Sequence, residues 1–144
     1  RQIGNLPGGR VDNRQTAEMA ARKELKEETG YTAESFERLY ETFSNPTRVT
    51  DKAIIFLAYN IKKDGSPKLS NTEKGSEVIT INLEDVPRLL SDEIEKIGFK
   101  FIWPNNLSGQ TGELTKYDIC DSTTIAALML AHRKIFKIGS ETKE

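Results

Sequence analysis

The chain has 144 residues, 36% hydrophobic and 30% charged, with a formal net charge of −1. That length suits one domain over residues 1–144 with a real core. The near-neutral balance argues against a nucleic-acid partner, and no apolar run reaches the length of a membrane span. No signal-peptide pattern opens the chain. Cys120 is the single cysteine, so an internal disulfide is excluded and a cytoplasmic setting is expected. Cys120 reads as a small packing residue, and the one histidine, His132, has no motif around it.

The elements follow in chain order. Gln2 to Leu6 is a short strand entering the turn at Pro7-Gly8-Gly9. Thr16 is placed to cap a helix from Ala17 to Glu28, with Ala17, Ala20, Ala21 and Leu25 as its buried stripe. Gly30 is the left-handed residue that stops it. Leu39 to Ser44 reads as a strand, and Asn45 to Arg48 as a turn. Lys52 to Ile61 is apolar on both faces, which predicts a central strand covered on both sides. Lys62 to Ser76 is rich in Lys, Gly, Ser and Asn and reads as an exposed, mobile loop. Glu77 to Asn82 alternates as a strand, and Leu83 to Leu90 is a short helix with Pro87 in its first turn. Phe99, Phe101 and Trp103 alternate as one buried strand face, with stacking on a base as the functional alternative. Thr124 to Ile138 is an amphipathic helix with Ile125, Leu128, Met129, Ala131 and Ile135 inward and Asp121 or Ser122 as its cap. Strands mixed with helices, outside strict alternation, predict an α/β (α+β) fold: α/β/α layers around a mixed sheet.

Glu24, Glu27 and Glu28 carry the most information. At i, i+3 and i+4 they share one helical face, roughly 5–6 Å apart at Cβ. Like charges so close repel, and a cation is the natural compensation. Oxygen-only ligands suit Mg²⁺ or Mn²⁺. The bland alternative is a solvated acidic face that also carries Lys23 and Lys26. The surroundings favour the cation: a Gly8-Gly9 turn, which lets backbone approach a ligand closely, precedes the helix, and Gly30 ends it.

The segment from Gly9 to Tyr31 resembles the Nudix box, G-x5-E-x7-R-E-U-x-E-E-x-G-U, where U is a bulky apolar residue. Gly9, Glu24, Leu25, Glu27, Glu28, Gly30 and Tyr31 all fall in register. Two positions depart: Gln15 stands for the first glutamate and Lys23 for the arginine. In the family that arginine orients the metal-binding glutamates. Lys23 takes the orienting position but lacks the planar bidentate fork. Arg22 points about 100° away around the helix. The resemblance implies metal-dependent hydrolysis of nucleoside diphosphate derivatives on an α/β/α sandwich. It implies Glu24, Glu27, Glu28 and the Gly8 carbonyl as metal ligands, with Glu27 and Glu28 central to catalysis. The family usually places strands before the box, so the N-terminal strands are expected to be truncated or minimal here.

Beyond the box, Pro46 and Thr50-Asp51 resemble the ADP-ribose pyrophosphatase branch. So do Gly112-Glu113-Leu114 and the run from Asp121 to Leu128. This implies ADP-ribose as substrate, with AMP and ribose 5-phosphate as products. Pro46, Arg48 and Asp51 are then the candidate substrate-binding residues. That branch tends to take its general base from a loop glutamate, and Glu73 and Glu77 are equal candidates. The partner expected is a small nucleotide, with no nucleic acid or membrane, and the branch is commonly homodimeric. The alternatives are another nucleotide substrate, or a weakened domain that senses a nucleotide without hydrolysing it.

Overall fold

The computed structural model describes residues 4–43, 51–119 and 121–136. Helix α1 (Ala17–Thr29) opens with Thr16 as N-cap, whose hydroxyl accepts from the Met19 N–H at 3.2 Å. Gly30 closes it at φ 77°, donating its N–H to the Lys26 carbonyl. Both ends follow the capping chemistry legible in the sequence. Of the small-residue stripe only Ala20 is buried, while Ala17, Ala21 and Leu25 are half-buried.

Directly after Gly30 the chain enters β1 (Tyr31–Phe43), longer than the strand expected from Leu39. Strand β2 (Lys52–Lys63) returns antiparallel, from Phe43 opposite Lys52 to Tyr31 opposite Lys63. The hairpin therefore brings the end of β2 back to the end of α1. Arg22 fastens the helix to this hairpin. Its Nη1 donates to the Ala33 carbonyl at 3.1 Å, and its guanidinium lies 4.5 Å from the Phe36 ring centroid.

The prediction of a central β2 is corrected. Among the described residues β2 pairs with β1 alone, and Ile55 is its one buried side chain. An apolar run reports burial potential and does not count neighbouring strands.

The second sheet is antiparallel, ordered β3 (Val78–Ile81), β4 (Ile97–Trp103), β5 (Thr111–Leu114). Between β3 and β4 lie a 3₁₀ turn at Leu83–Asp85 and the one-turn helix α2 (Val86–Leu89), which holds Pro87 at its start, where no N–H is needed. Helix α3 (Ser122–Phe136) is capped by Asp121, which accepts from the Thr124 N–H at 2.7 Å. Val86, Leu89, Ile97, Leu114 and Leu128 form the core cluster, with Ile79, Ile81 and Phe99 packed on it. The inward face predicted for α3 is corrected in part. Leu128 is buried, but with Thr124 and Ala127, whereas Met129 and Ile135 are exposed. The packing of α3 on the core therefore selects a face rotated from the one apolarity suggested.

The result is a mixed α/β protein. Apart from the single parallel bridge between Gly4 and Ile119, the described pairings are antiparallel. The bridge is reinforced by the Gly4 N–H donating to the Asp118 carbonyl at 2.6 Å, which draws the start of the described chain onto its C-terminal part.

Candidate metal centre

The last two turns of α1 gather acids where a helix tolerates them least. The C-terminal end of a helix carries partial negative charge, which favours cations. Lys26 obeys that preference; Glu24, Glu27 and Glu28 do not. The fold then crowds two of them further. Glu24 and Glu28 stand one turn apart on the same face of α1. The Glu28 pKa is pushed up to about 7, first by burial, then by the Glu24 charge and hydrogen bond, then by the charge of Glu73; a Gly8 backbone hydrogen bond opposes the rise.

The glycine turn is shaped around this pair. A Cβ on Gly9 would stand 2.3 Å from Glu24 Oε1, so a larger residue there would push the end of that carboxylate aside. Gly8 has open space beside it. Glu27 is turned toward Lys23, whose Nζ lies 4.0 Å from Glu27 Oε2. Lys23 thus contacts a box glutamate despite lacking the arginine fork. Among the described residues no three His, Cys, Asp or Glu side chains are gathered as a ready cation cage. Even so, the donor chemistry fits a hard divalent cation. Carboxylates crowded on one helical face are the arrangement that a metal charge would relieve.

The structure separates the two candidate bases. Glu73 is half-buried, and its charge acts on Glu28. Its carboxylate accepts from the Ser70 N–H at 2.8 Å, which holds its pKa below the ordinary range. Glu77 is exposed, next to the start of β3. Asp51 is exposed just before β2. Pro46 and Arg48, like Cys120, lie outside the described residues. Phe99 packs on the core, and its ring covers Gly112, where a Cβ would lie 2.4 Å from Cζ. Its partner Phe101 meets it edge-on at 5.0 Å. Phe99, Phe101 and Trp103 lie on β4 half-buried, not fully buried as the alternation suggested.

The segment that covers the end of α1 runs through Asp64 and Lys68. The Lys68 N–H donates to the Glu27 carbonyl at 2.7 Å and the Asp64 N–H to the Gly30 carbonyl at 2.8 Å. These are backbone contacts between distant residues, and no side-chain pattern announces them.

A NUDIX domain family model matches residues 1–102, and the chain belongs to that family. The ADP-ribose pyrophosphatase of Bacillus subtilis (strain 168) is 28% identical over 90 residues. The match covers 62% of this chain and 49% of that protein, so the chain aligns with about half of its relative's length. Nudix hydrolases generally use divalent metal ions. Among the described residues, no helix is long and apolar enough to cross a membrane.

Proposed function

We propose that this chain hydrolyses the pyrophosphate bond of a nucleoside diphosphate derivative, with ADP-ribose as the substrate giving AMP and ribose 5-phosphate. The observation that carries the reading is the Glu24–Glu28 carboxyl pair seated against Gly8-Gly9, with the charge of Glu73 acting on it. Pyrophosphate resists attack because both its phosphoryl groups are anionic. A divalent cation, Mg²⁺ or Mn²⁺, would neutralise phosphate oxygens and favour deprotonation of the attacking water. Glu24, Glu27 and Glu28 would hold that cation, with the Gly8 carbonyl as a backbone donor. Lys23 would orient Glu27. Glu73 would serve as the general base, its carboxylate accepting the proton of the water that attacks phosphorus. The P–O bond to the leaving phosphate breaks in the same displacement. Arg48, Pro46 and Asp51 would contact the substrate. The relative's name supports ADP-ribose, and a cytoplasmic homodimer would suit that branch.

The test is incubation of the purified protein with ADP-ribose and Mg²⁺, assaying AMP. Turnover of another nucleoside diphosphate sugar or of a nucleoside triphosphate alone would overturn ADP-ribose and keep the reaction class. A second reading, a nucleotide sensor, is favoured by Lys23 and Gln15 at the two departing box positions. It predicts a rise in melting temperature with ADP-ribose and metal but no product.

A further inference from the structure

The segment Asp64 to Ser76 serves as the cap of the metal helix as well as the carrier of Glu73. A helix leaves its last carbonyls without intrahelical partners. In α1 the Lys26 carbonyl accepts from the Gly30 N–H at 2.9 Å, but the Glu27 carbonyl accepts from the Lys68 N–H at 2.7 Å. The Gly30 carbonyl, next along, accepts from the Asp64 N–H at 2.8 Å. Lys26 Nζ meets Asp64 Oδ2 at 3.0 Å. Gly30 lies so close to Gly65 that a Cβ would stand 2.4 Å from its carbonyl oxygen. One residue, Leu69, then separates Lys68 from the turn that fixes Glu73. In that turn the Ser70 N–H donates to the Glu73 carboxylate at 2.8 Å, and the Ser76 N–H to the Glu73 carbonyl at 3.0 Å.

Resting on the function proposed above, we propose that Lys68 is a positioning residue whose backbone N–H, bonded to the Glu27 carbonyl, clamps the 64–76 loop to the metal helix and so fixes the turn that carries Glu73 relative to that helix. The physical point is the choice of acceptor. Glu27 belongs to the acidic face itself, so loop and metal platform share one rigid reference. A loop anchored elsewhere would leave the Glu73 turn free to shift relative to Glu27. The Lys26–Asp64 ion pair is solvent-exposed and adds little by itself; the backbone bonds and the Gly30–Gly65 contact carry the docking.

The test exploits the fact that Lys68 acts through its main chain while its side chain is exposed. Lys68→Pro deletes the donor, whereas Lys68→Ala keeps it. With ADP-ribose and Mg²⁺, Lys68→Pro is expected to lower kcat about 10- to 100-fold, as misplacement of a catalytic group does. Its KM should stay within about twofold, and Lys68→Ala should restore the parent kcat. Amide hydrogen exchange provides the reading independent of activity: protection across 70–76 falls in Lys68→Pro and not in Lys68→Ala. Should Lys68→Pro fail to fold, Asp64→Pro deletes the second backbone donor of the same docking, the one to the Gly30 carbonyl, and the same exchange measurement reads it. A parent protein that hydrolyses nothing would overturn the proposed function, and exchange alone would then decide the clamp. Unchanged exchange across 70–76 in a folded donor-deleted protein overturns the clamp whatever the activity.

Discussion

The end of α1 and the core around Leu89 are built from opposite materials. Around Leu89, five apolar side chains from α2, β4, β5 and α3 are almost wholly removed from water. At the end of α1, carboxylates meet glycine backbone, and the helix dipole opposes the charges it carries. The first region lowers the free energy of the fold; the second raises it. They also sit on different elements, joined through bonds such as Gly4 to Asp118 and the ion pair of Lys134 with Glu37 at 2.6 Å. Stability and activity should therefore respond to different substitutions.

The sharpest test of that division is Leu89→Ala. Leu89 is 1% exposed, and its truncation should cost about 2–5 kcal/mol through lost burial and a residual cavity. Denaturant titration measures the cost. The folded fraction should keep the parent rate per molecule, and a large loss of that rate would break the separation. Glu28→Gln should do the reverse. Its rate should fall on the order of 100-fold, equivalent to about 2.7 kcal/mol of barrier. Its melting temperature without metal should hold or rise at neutral pH, because a buried charge beside Glu24 has been removed.

A smaller effect concerns Gly9. Gly9→Ala places a methyl group against Glu24. It should weaken Mg²⁺ affinity about tenfold by displacing a ligand, with stability changed by about 1 kcal/mol or less. Isothermal titration with Mg²⁺ checks it. The smallest effect is pH-dependent stability of the metal-free protein. Glu28 has its folded pKa raised from 4.5 to about 7, so the folded state holds the proton more tightly than the unfolded chain. That contribution is fully present below about pH 4.5, declines as pH rises, and is gone above about pH 7. Because Glu28 is only half-buried, solvent screening limits the span to roughly 1–2 kcal/mol. Glu28→Gln should flatten the slope between pH 5 and pH 7 in thermal melts. An equal slope in both proteins would place the strain elsewhere.

Much of the α1 region was legible because its determinants are local. Thr16, Gly30 and the spacing of Glu24, Glu27 and Glu28 lie within one helix, where periodicity and capping chemistry act over a few residues. The short strand near Val78 and the Asp121 cap were legible for the same reason. Strand β2 and helix α3 were misread where neighbours decide. Whether Ile54 or Met129 is covered depends on which element lies opposite, and apolarity is silent on that.

The sequence by itself determined the acidic face, the glycine turn before it, the left-handed stop after it, and hence the family. Only the tertiary structure decided the surroundings of these acids. It pairs Glu24 with Glu28 against Gly8-Gly9, turns Glu27 to Lys23, and brings the charge of Glu73 rather than Glu77 to bear on Glu28. The reason is geometric. The antiparallel hairpin returns the chain to its own starting point, and backbone bonds from Asp64 and Lys68 fix the loop there. Backbone N–H groups are the same in nearly every residue, so no side-chain pattern could have shown where they would bind.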